Sequence, residues 1–404
     1  MGNFARTSFL LGFLVAFWML PRHGAAVEAT EPGWRIANIG FGIKPSFDFD
    51  ANDRIHVMGM TEQIIGVVWH ASADDIGGPW SPVDVASGYF YGPGDIRVDA
   101  TGAAHLAWHD HDDQDPNHLV VAPGGATTLR RIISPGHDGW DNTLAFDSQG
   151  TLHQTSVDPS AFGAPVSLEY GTFDGAAWTY DRVPGSGSFM YGFNTSLAID
   201  GLDEPHVVYT RASDWVAPGD LNYARRSAST WQVATIPTGS TLSRFASIAL
   251  DDADRPHVAW FDVDAEDSTR GTVRYGVLDD GSWTLETVDT LENVSLGFSG
   301  AREMVSLALD GGNRPHLAYG DRRFVRYATR STGSWSTTDI LASTSDLYNG
   351  LVVLRLDSTD VPGIAFWQDH AGQPGLVRMA VLPEPSTLSV SAMLCLWSLH
   401  RRRS

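Results

Sequence analysis

Two stretches of this chain gather side chains that can hold a cation or move a proton. WHDHDDQDPNH places His109, Asp110, His111, Asp112, Asp113, Asp115 and His118 close together, and FDVDAED does the same for Asp262, Asp264, Glu266 and Asp267. Carboxylate oxygens at this density suit Ca²⁺, and the histidines suit Zn²⁺. Neither stretch completes a ligand loop, because the turn glycine and the closing glutamate of the EF-hand spacing are missing. The expectation is no obligatory cofactor: Asp110, Asp112 and Asp115 are the carboxylates that would hold Ca²⁺, and a solvated acidic loop is the plain alternative.

A second group is aromatic. SGYFYGPG carries Tyr89, Phe90 and Tyr91, PGHDGWDN carries His137, Asp138 and Trp140, and GSFMYGFN carries Phe189, Tyr191 and Phe193. Flat rings beside carboxylates suit a sugar, whose C–H face stacks while its hydroxyls take hydrogen bonds. The candidate ligand site is therefore Tyr89, Tyr91, Trp140, Tyr191 and Phe193 beside Asp110 and His111, and covering of internal junctions is the bland reading of the same rings. A polysaccharide lyase would need a His or Tyr base near a neutralising cation, which His111, His137 or Tyr91 could supply. The acidic surroundings would repel uronate substrates, so no catalytic residue is assigned and binding ranks ahead of an enzyme.

These candidates must be positioned by a repeat. A short alternating strand ends in Asp, a polar turn follows, and a second strand opens with His six residues after the Asp: Asp50/His56, Asp99/His105, Asp147/His153, Asp200/His206, Asp251/His257 and Asp310/His316. A seventh copy keeps Asp357 but has Gly363 in place of His. The Asp positions recur every 47 to 59 residues, the period of a four-stranded propeller blade. A third strand carries an aromatic residue (Trp69, Tyr170, Tyr223, Tyr275, Tyr327) and a Trp opens the fourth (Trp80, Trp178, Trp231, Trp283, Trp335), read as packing between blades. Residues repeated in nearly every blade are most economically hairpin devices, Asp capping turn amides and His bonding across the hairpin.

The last copy lacks a Trp strand, and an orphan, PGWRIANI with Trp34, precedes the first. The expected fold is all-β: one seven-bladed β-propeller over residues 27–382, closed by its N-terminal strand, which removes an open sheet edge. In such a ring the loops between second and third strands and those joining blades share one face, and the ligand-site candidates all fall in them. Composition agrees, with 41 Gly, 21 Pro and 11% aromatic residues.

The ends read as addresses. Arg6, the apolar run Phe9 to Leu20 and small residues to Ala26 form a signal peptide, residues 1–26. Residues 383–404 begin Pro383-Glu384-Pro385, continue as an apolar stretch from Leu388 to Leu399 and end in Arg401, Arg402 and Arg403. This order resembles the PEP-CTERM sorting signal, which implies export in a Gram-negative bacterium, transient passage through the inner membrane by the C-terminal helix, processing by an exosortase-type enzyme, and residence at the cell surface or in the exopolysaccharide and biofilm matrix. The repeat region resembles secreted seven-bladed BNR-like propellers, among them lectins and polysaccharide lyases, although the Asp-box motif of sialidases is absent. The implied partner is an extracellular polysaccharide or a surface protein; a purely structural matrix protein is the third reading. Of the chain's 27 basic and 48 acidic residues, residues 27–382 lose Arg6, Arg22, Arg401, Arg402, Arg403 and Glu384 and keep 22 against 47, a net −25, which excludes nucleic acid as a partner. The one Cys, Cys395, lies in the tail, so the repeat region has no internal disulfide.

Overall fold

The computed structural model describes residues 28–29, 33–61, 66–88, 90, 94–110, 115–131, 140–158, 167–184, 195–212, 219–240, 242–264, 267, 269–292, 305–321, 324–330, 333–342, 349–370 and 373–382. Both terminal segments, with Pro383, Glu384 and Pro385, lie outside them. The described elements are all strands and form seven antiparallel sheets. Each inner strand touches the inner strand of the blade before and after it, round to blade seven against blade one, so the chain is a seven-bladed β-propeller. The inner strands are Ile43–Phe49, Asp95–Val98, Trp140–Phe146, Ser196–Ile199, Ser243–Leu250, Val305–Leu309 and Asn349–Leu356. Blades one to six are four-stranded meanders; the last sheet runs Asn349–Leu356, Pro362–His370, Gln373–Val381 and then Arg35–Phe41, with Glu28–Ala29 outermost. Arg35–Phe41 is antiparallel to Gln373–Val381, from Arg35 opposite Val381 to Phe41 opposite Leu376.

One carboxylate organises each hairpin. The Asp at the end of the inner strand accepts, on a single oxygen, the amides two and four residues on, at 2.7–3.0 Å in all seven blades. Its other oxygen meets the repeat His Nε2 at 3.1–3.3 Å in blades two to six. An ionised carboxylate can only accept, so Nε2 carries the proton and Nδ1 is left to accept from the third strand. In blades three to six the donor is the hydroxyl of Tyr170, Tyr223, Tyr275 or Tyr327. In blades one and two it is a second imidazole, His70 (3.2 Å from His56) and His118 (3.0 Å from His105).

This corrects the assignment of Trp69 to the third-strand aromatic position. His70 stands opposite Met58, two residues past the repeat His, as Tyr275 stands opposite Ala259. A one-residue offset sends Trp69 to the other face of the sheet, where its indole donates to the Phe41 carbonyl. Trp80 is likewise not the opening of a fourth strand: Val83–Gly88 forms that strand, and Trp80 lies buried before it, donating to the Ile76 carbonyl. In blade seven Gly363 stands in place of the His, and a Cβ there would lie 3.0 Å from the side-chain ends of Phe49 and Met379, which would have to give way.

Between blades, the third-strand ring of blades two to six packs edge-on against the Trp of the next blade: His118 on Trp178, Tyr170 on Trp231, Tyr223 on Trp283, Tyr275 on Trp335, and Tyr327 on Trp34, at 5.2–5.9 Å. The hairpin turns add a belt that sequence reading missed. Three residues after the repeat Asp the chain enters the left-handed region, a conformation Asn, Asp and Gly tolerate best. Asp53, Asp203, Asp254, Asn313 and Asp360 stand there with φ of 57–66°, and Gly102 and Gly150 fill it in blades two and three. Each of those five side chains accepts an amide from the preceding blade's turn: Ser358, Ser148, Gly201, Asp252 and Gly311 respectively, at 2.8–3.1 Å. The Asp53 to Ser358 link joins blade one to blade seven.

Burial holds His56, His153, His206, His257 and His316 below the usual imidazole pKa, and holds His70 down to about 3, His56 and Arg54 adding to the effect. Burial opposes ionisation of the repeat carboxylates too, but at Asp251 the Arg255 and His257 hydrogen bonds outweigh it and hold the acid down to about 2. A folded-state pKa below the unfolded one means that the folded form resists the proton. The imidazoles' contribution is therefore complete above pH ~6.5 and is lost as pH falls below it, while the Asp251 contribution persists until pH ~4 and is lost on the way to 2. Urea midpoints are expected to begin falling near pH ~6 and not only below ~4. A midpoint flat from pH 7 to 4.5 would contradict neutral, proton-resisting histidines.

Candidate functional site

The position after the repeat His is filled by Val57, Leu106, Val207, Val258, Leu317 and Ile364 in six blades, all fully or nearly fully buried apolar residues. Blade three has Gln154 there, also fully buried. Side chains alternate along a strand, so Gln154 and Ser156 face blade two together with Leu152. The Gln154 amide donates to Asn142 Oδ1, and its carbonyl accepts from Tyr180 OH at 2.9 Å. Above them Ser167 donates to Glu169 at 2.6 Å, and Arg182 Nε donates to the same carboxylate oxygen at 3.0 Å. Glu169 is 3% exposed, whereas the Arg182 side chain is 61% exposed. Blade two presents buried His105, His109 and His118 toward this boundary, beside Ala107. The buried apolar cluster here is reduced to Ala107, Leu144, Leu152 and Phe173.

This polar boundary is hydrogen-bonded, and burial pushes the Tyr180 hydroxyl well above its usual range, so it stays protonated and donates. A polar core costs more than an apolar one unless all its members are paired. Its strands run, on the face shared with the blade-joining loops, into residues 111–114, 132–139, 159–166 and 185–194. Tyr89, Tyr91, His111, Asp112, Tyr191 and Phe193 lie outside the described residues, and only the backbone of Asp115 and Trp140 is described, within strands. Asp110 ends the second strand of blade two, half-buried, and accepts from Asn117 Nδ2 at 3.2 Å. Among the described residues no group of three or more His, Cys, Asp or Glu side chains is placed to hold a metal ion.

The central channel holds little free space among the described inner strands. It encloses about 80 Å³ among inner-strand side chains such as Asp95, Arg97, Thr143 and Arg355, well under the ~300 Å³ at which ligand pockets begin. Asp95 there accepts from Ser46 Oγ, Arg97 and the Leu144 amide, tying blades one, two and three. Two larger clefts open on the opposite face, the face of the Asp–His hairpins: about 650 Å³ between blades one and two, and about 710 Å³ between blades four and five.

No protein-family model matches this chain, and no curated protein sequence does. Solved structures do. A polysaccharide lyase of family PL25, an ulvan lyase bound to -[GlcA(1-4)Rha3S]-, superposes with a TM-score of 0.59 at 12% identity, covering 88% of this chain and 97% of that one. The BP39L lectin from Burkholderia pseudomallei gives 0.55 at 13% identity over 83% and 98%. A protein of unknown function from Dyadobacter fermentans gives 0.51 at 13% over 89% and 97%. At these identities the likeness is one of fold.

The polar boundary yields a stability test. Gln154→Leu alone removes the buried hydrogen bonds to Asn142 and Tyr180 and is expected to cost about 1–3 kcal/mol. The joint change Asn142→Leu, Gln154→Leu, Tyr180→Phe should recover most of that loss, because well-packed apolar sets replace buried polar sets at little cost. Denaturant unfolding of both variants decides it; a joint variant as unstable as the single one would mean that the network itself holds the blades together.

Proposed function

We propose that this protein is an exported, surface-associated propeller that binds extracellular polysaccharide, with recognition at the mouth of the boundary between blades two and three. The carrying observation is the break in the repeat: Gln154, bonded to Asn142 and Tyr180, stands where the other six blades have a buried aliphatic residue, and Ser167 and Glu169 pair above it. Six blades demonstrate that an apolar residue folds well after the repeat His. Trp140, at the start of the blade-three inner strand, and Tyr191 and Phe193, in the segment that follows the blade-three outer strand, carry rings suited to stacking on sugar. Similarity of fold to a polysaccharide lyase and a lectin supports the glycan reading. In the same reading residues 1–26 direct export, residues 383–404 are the substrate of an exosortase-type enzyme, and the Arg35–Phe41 strand keeps the ring shut in the mature protein.

The test is retardation of the full-length chain, purified in mild detergent, in native gels containing neutral or acidic polysaccharides, with and without Ca²⁺. Retardation should fall at least threefold in Trp140→Ala and Tyr191→Ala at unchanged melting temperature. Equal retardation in both variants removes recognition from this face, and release of new reducing ends would make the protein an enzyme.

Closure has its own check: deletion of residues 27–40 should lower the melting temperature or cause association through the uncovered edge of Gln373–Val381. A clean monomer with an unchanged melt would refute that role.

A further inference from the structure

Three consecutive junctions on the hairpin face share one register but not one composition. Asp181, Ala234 and Glu286 occupy the same place on the outer strands of blades three, four and five, opposite Tyr170, Tyr223 and Tyr275. Arg226, Leu278 and Arg330 share a place on the third strands of blades four, five and six, opposite Trp231, Trp283 and Trp335. At the junction of blades three and four, Asp181 accepts from the Trp231 indole at 3.2 Å and pairs with Arg226 at 3.4 Å. At the junction of blades five and six, Glu286 accepts from the Trp335 indole at 3.1 Å and pairs with Arg330 at 2.8 Å. Between them, at blades four and five, both partners are exchanged together, acid for Ala234 and arginine for Leu278. Ala234 has no side-chain acceptor to offer the Trp283 indole, and the space that an ion pair fills on either side is here a cleft of about 710 Å³ lined by Ala234, Leu278 and Trp283.

We propose that this cleft is a second glycan subsite, on the face opposite the first, taking a neutral sugar residue whose C–H face lies on Trp283 and Leu278 and whose hydroxyls meet the indole N–H and the rim. The volume lies within the ~300–1,000 Å³ of ligand sites, and an apolar floor with a few polar groups at the edge is their usual make-up. The rim decides for a neutral ligand. Arg225 is engaged by Asp200 at 2.9 Å and Glu204 at 3.5 Å, and Arg255 by Asp251 at 2.7 Å and Asp279 at 3.5 Å. The arginines are thus matched by carboxylates before any ligand arrives, and a uronate would meet net negative charge. Planar arginines held by carboxylates still present N–H groups at fixed angles, as hydroxyl recognition requires.

The neighbouring junctions supply the decisive variant, Ala234→Asp with Leu278→Arg, which rebuilds their ion pair inside the cleft and should fold as they do. The full-length chain is run in native gels containing laminarin, dextran or galactomannan, with alginate as the acidic control. At least one neutral polysaccharide should retard the wild type; the double variant should lose threefold or more of that retardation at an unchanged or higher melting temperature, and Trp283→Phe, which keeps a ring but loses the N–H, should lose part. Retardation by alginate alone, none by any neutral polysaccharide, or equal retardation of wild type and double variant overturns the subsite. The blade-three variant Trp140→Ala separates the two sites: if it abolishes all binding while the cleft variant binds like wild type, the first site stands and this one falls. If the double variant melts lower, Trp283→Phe alone decides: retardation equal to that of the wild type overturns the subsite.

Discussion

The ring depends on a geometric demand made seven times: an inner strand must reverse within a few residues while its neighbours crowd it on both sides. A single carboxylate meets that demand by taking two turn amides on one oxygen. The remaining oxygen orients an imidazole, the imidazole orients a phenol or second imidazole, and that ring abuts the Trp of the next blade. Order therefore passes outward from the channel and sideways around the ring through one chain of contacts. In blades two to six each group in it has a defined donor or acceptor role, so those repeat histidines are spoken for, and chemistry is better sought where the repeat is broken.

The architecture was legible for this reason. Every copy solves the same local problem, so Asp and His recur at the same spacing and the blade count can be read directly. Misassignments occurred where alternation leaves two candidates side by side. In VVWHAS both Trp69 and His70 are aromatic, and only the partner strand tells which faces the repeat His. The belt residues were also visible, as Asp53, Asp203, Asp254, Asn313 and Asp360. Their partner lies in the previous blade, a distance along the chain that no local pattern reports.

The candidate sites were legible only in part, and the overlooked signal was again a departure from repetition. Gln154 stands in LHQTSVD where PHVAWFD has Val258, and Ala234 stands in WQVAT where WTLET has Glu286. A search for metal-binding clusters and aromatic loops passes over both, because a glutamine or an alanine is unremarkable until set against its counterparts. In a repeat protein the meaningful comparison is with the same position one blade away. The two departures differ in kind: at Gln154 polarity is added and satisfied internally, whereas at Ala234 and Leu278 an ion pair is withdrawn and space is left.

The last sheet also has a mechanical reading. Gln373–Val381 is the final described strand before the tail, and it lies between Pro362–His370 on one side and Arg35–Phe41 on the other, antiparallel to both. Tension applied through the residues after Leu382 therefore enters along the length of a strand flanked on both sides. The hydrogen bonds of both ladders share that load in shear and do not open one after another like a zip. A pull along this strand is the direction in which its sheet resists best.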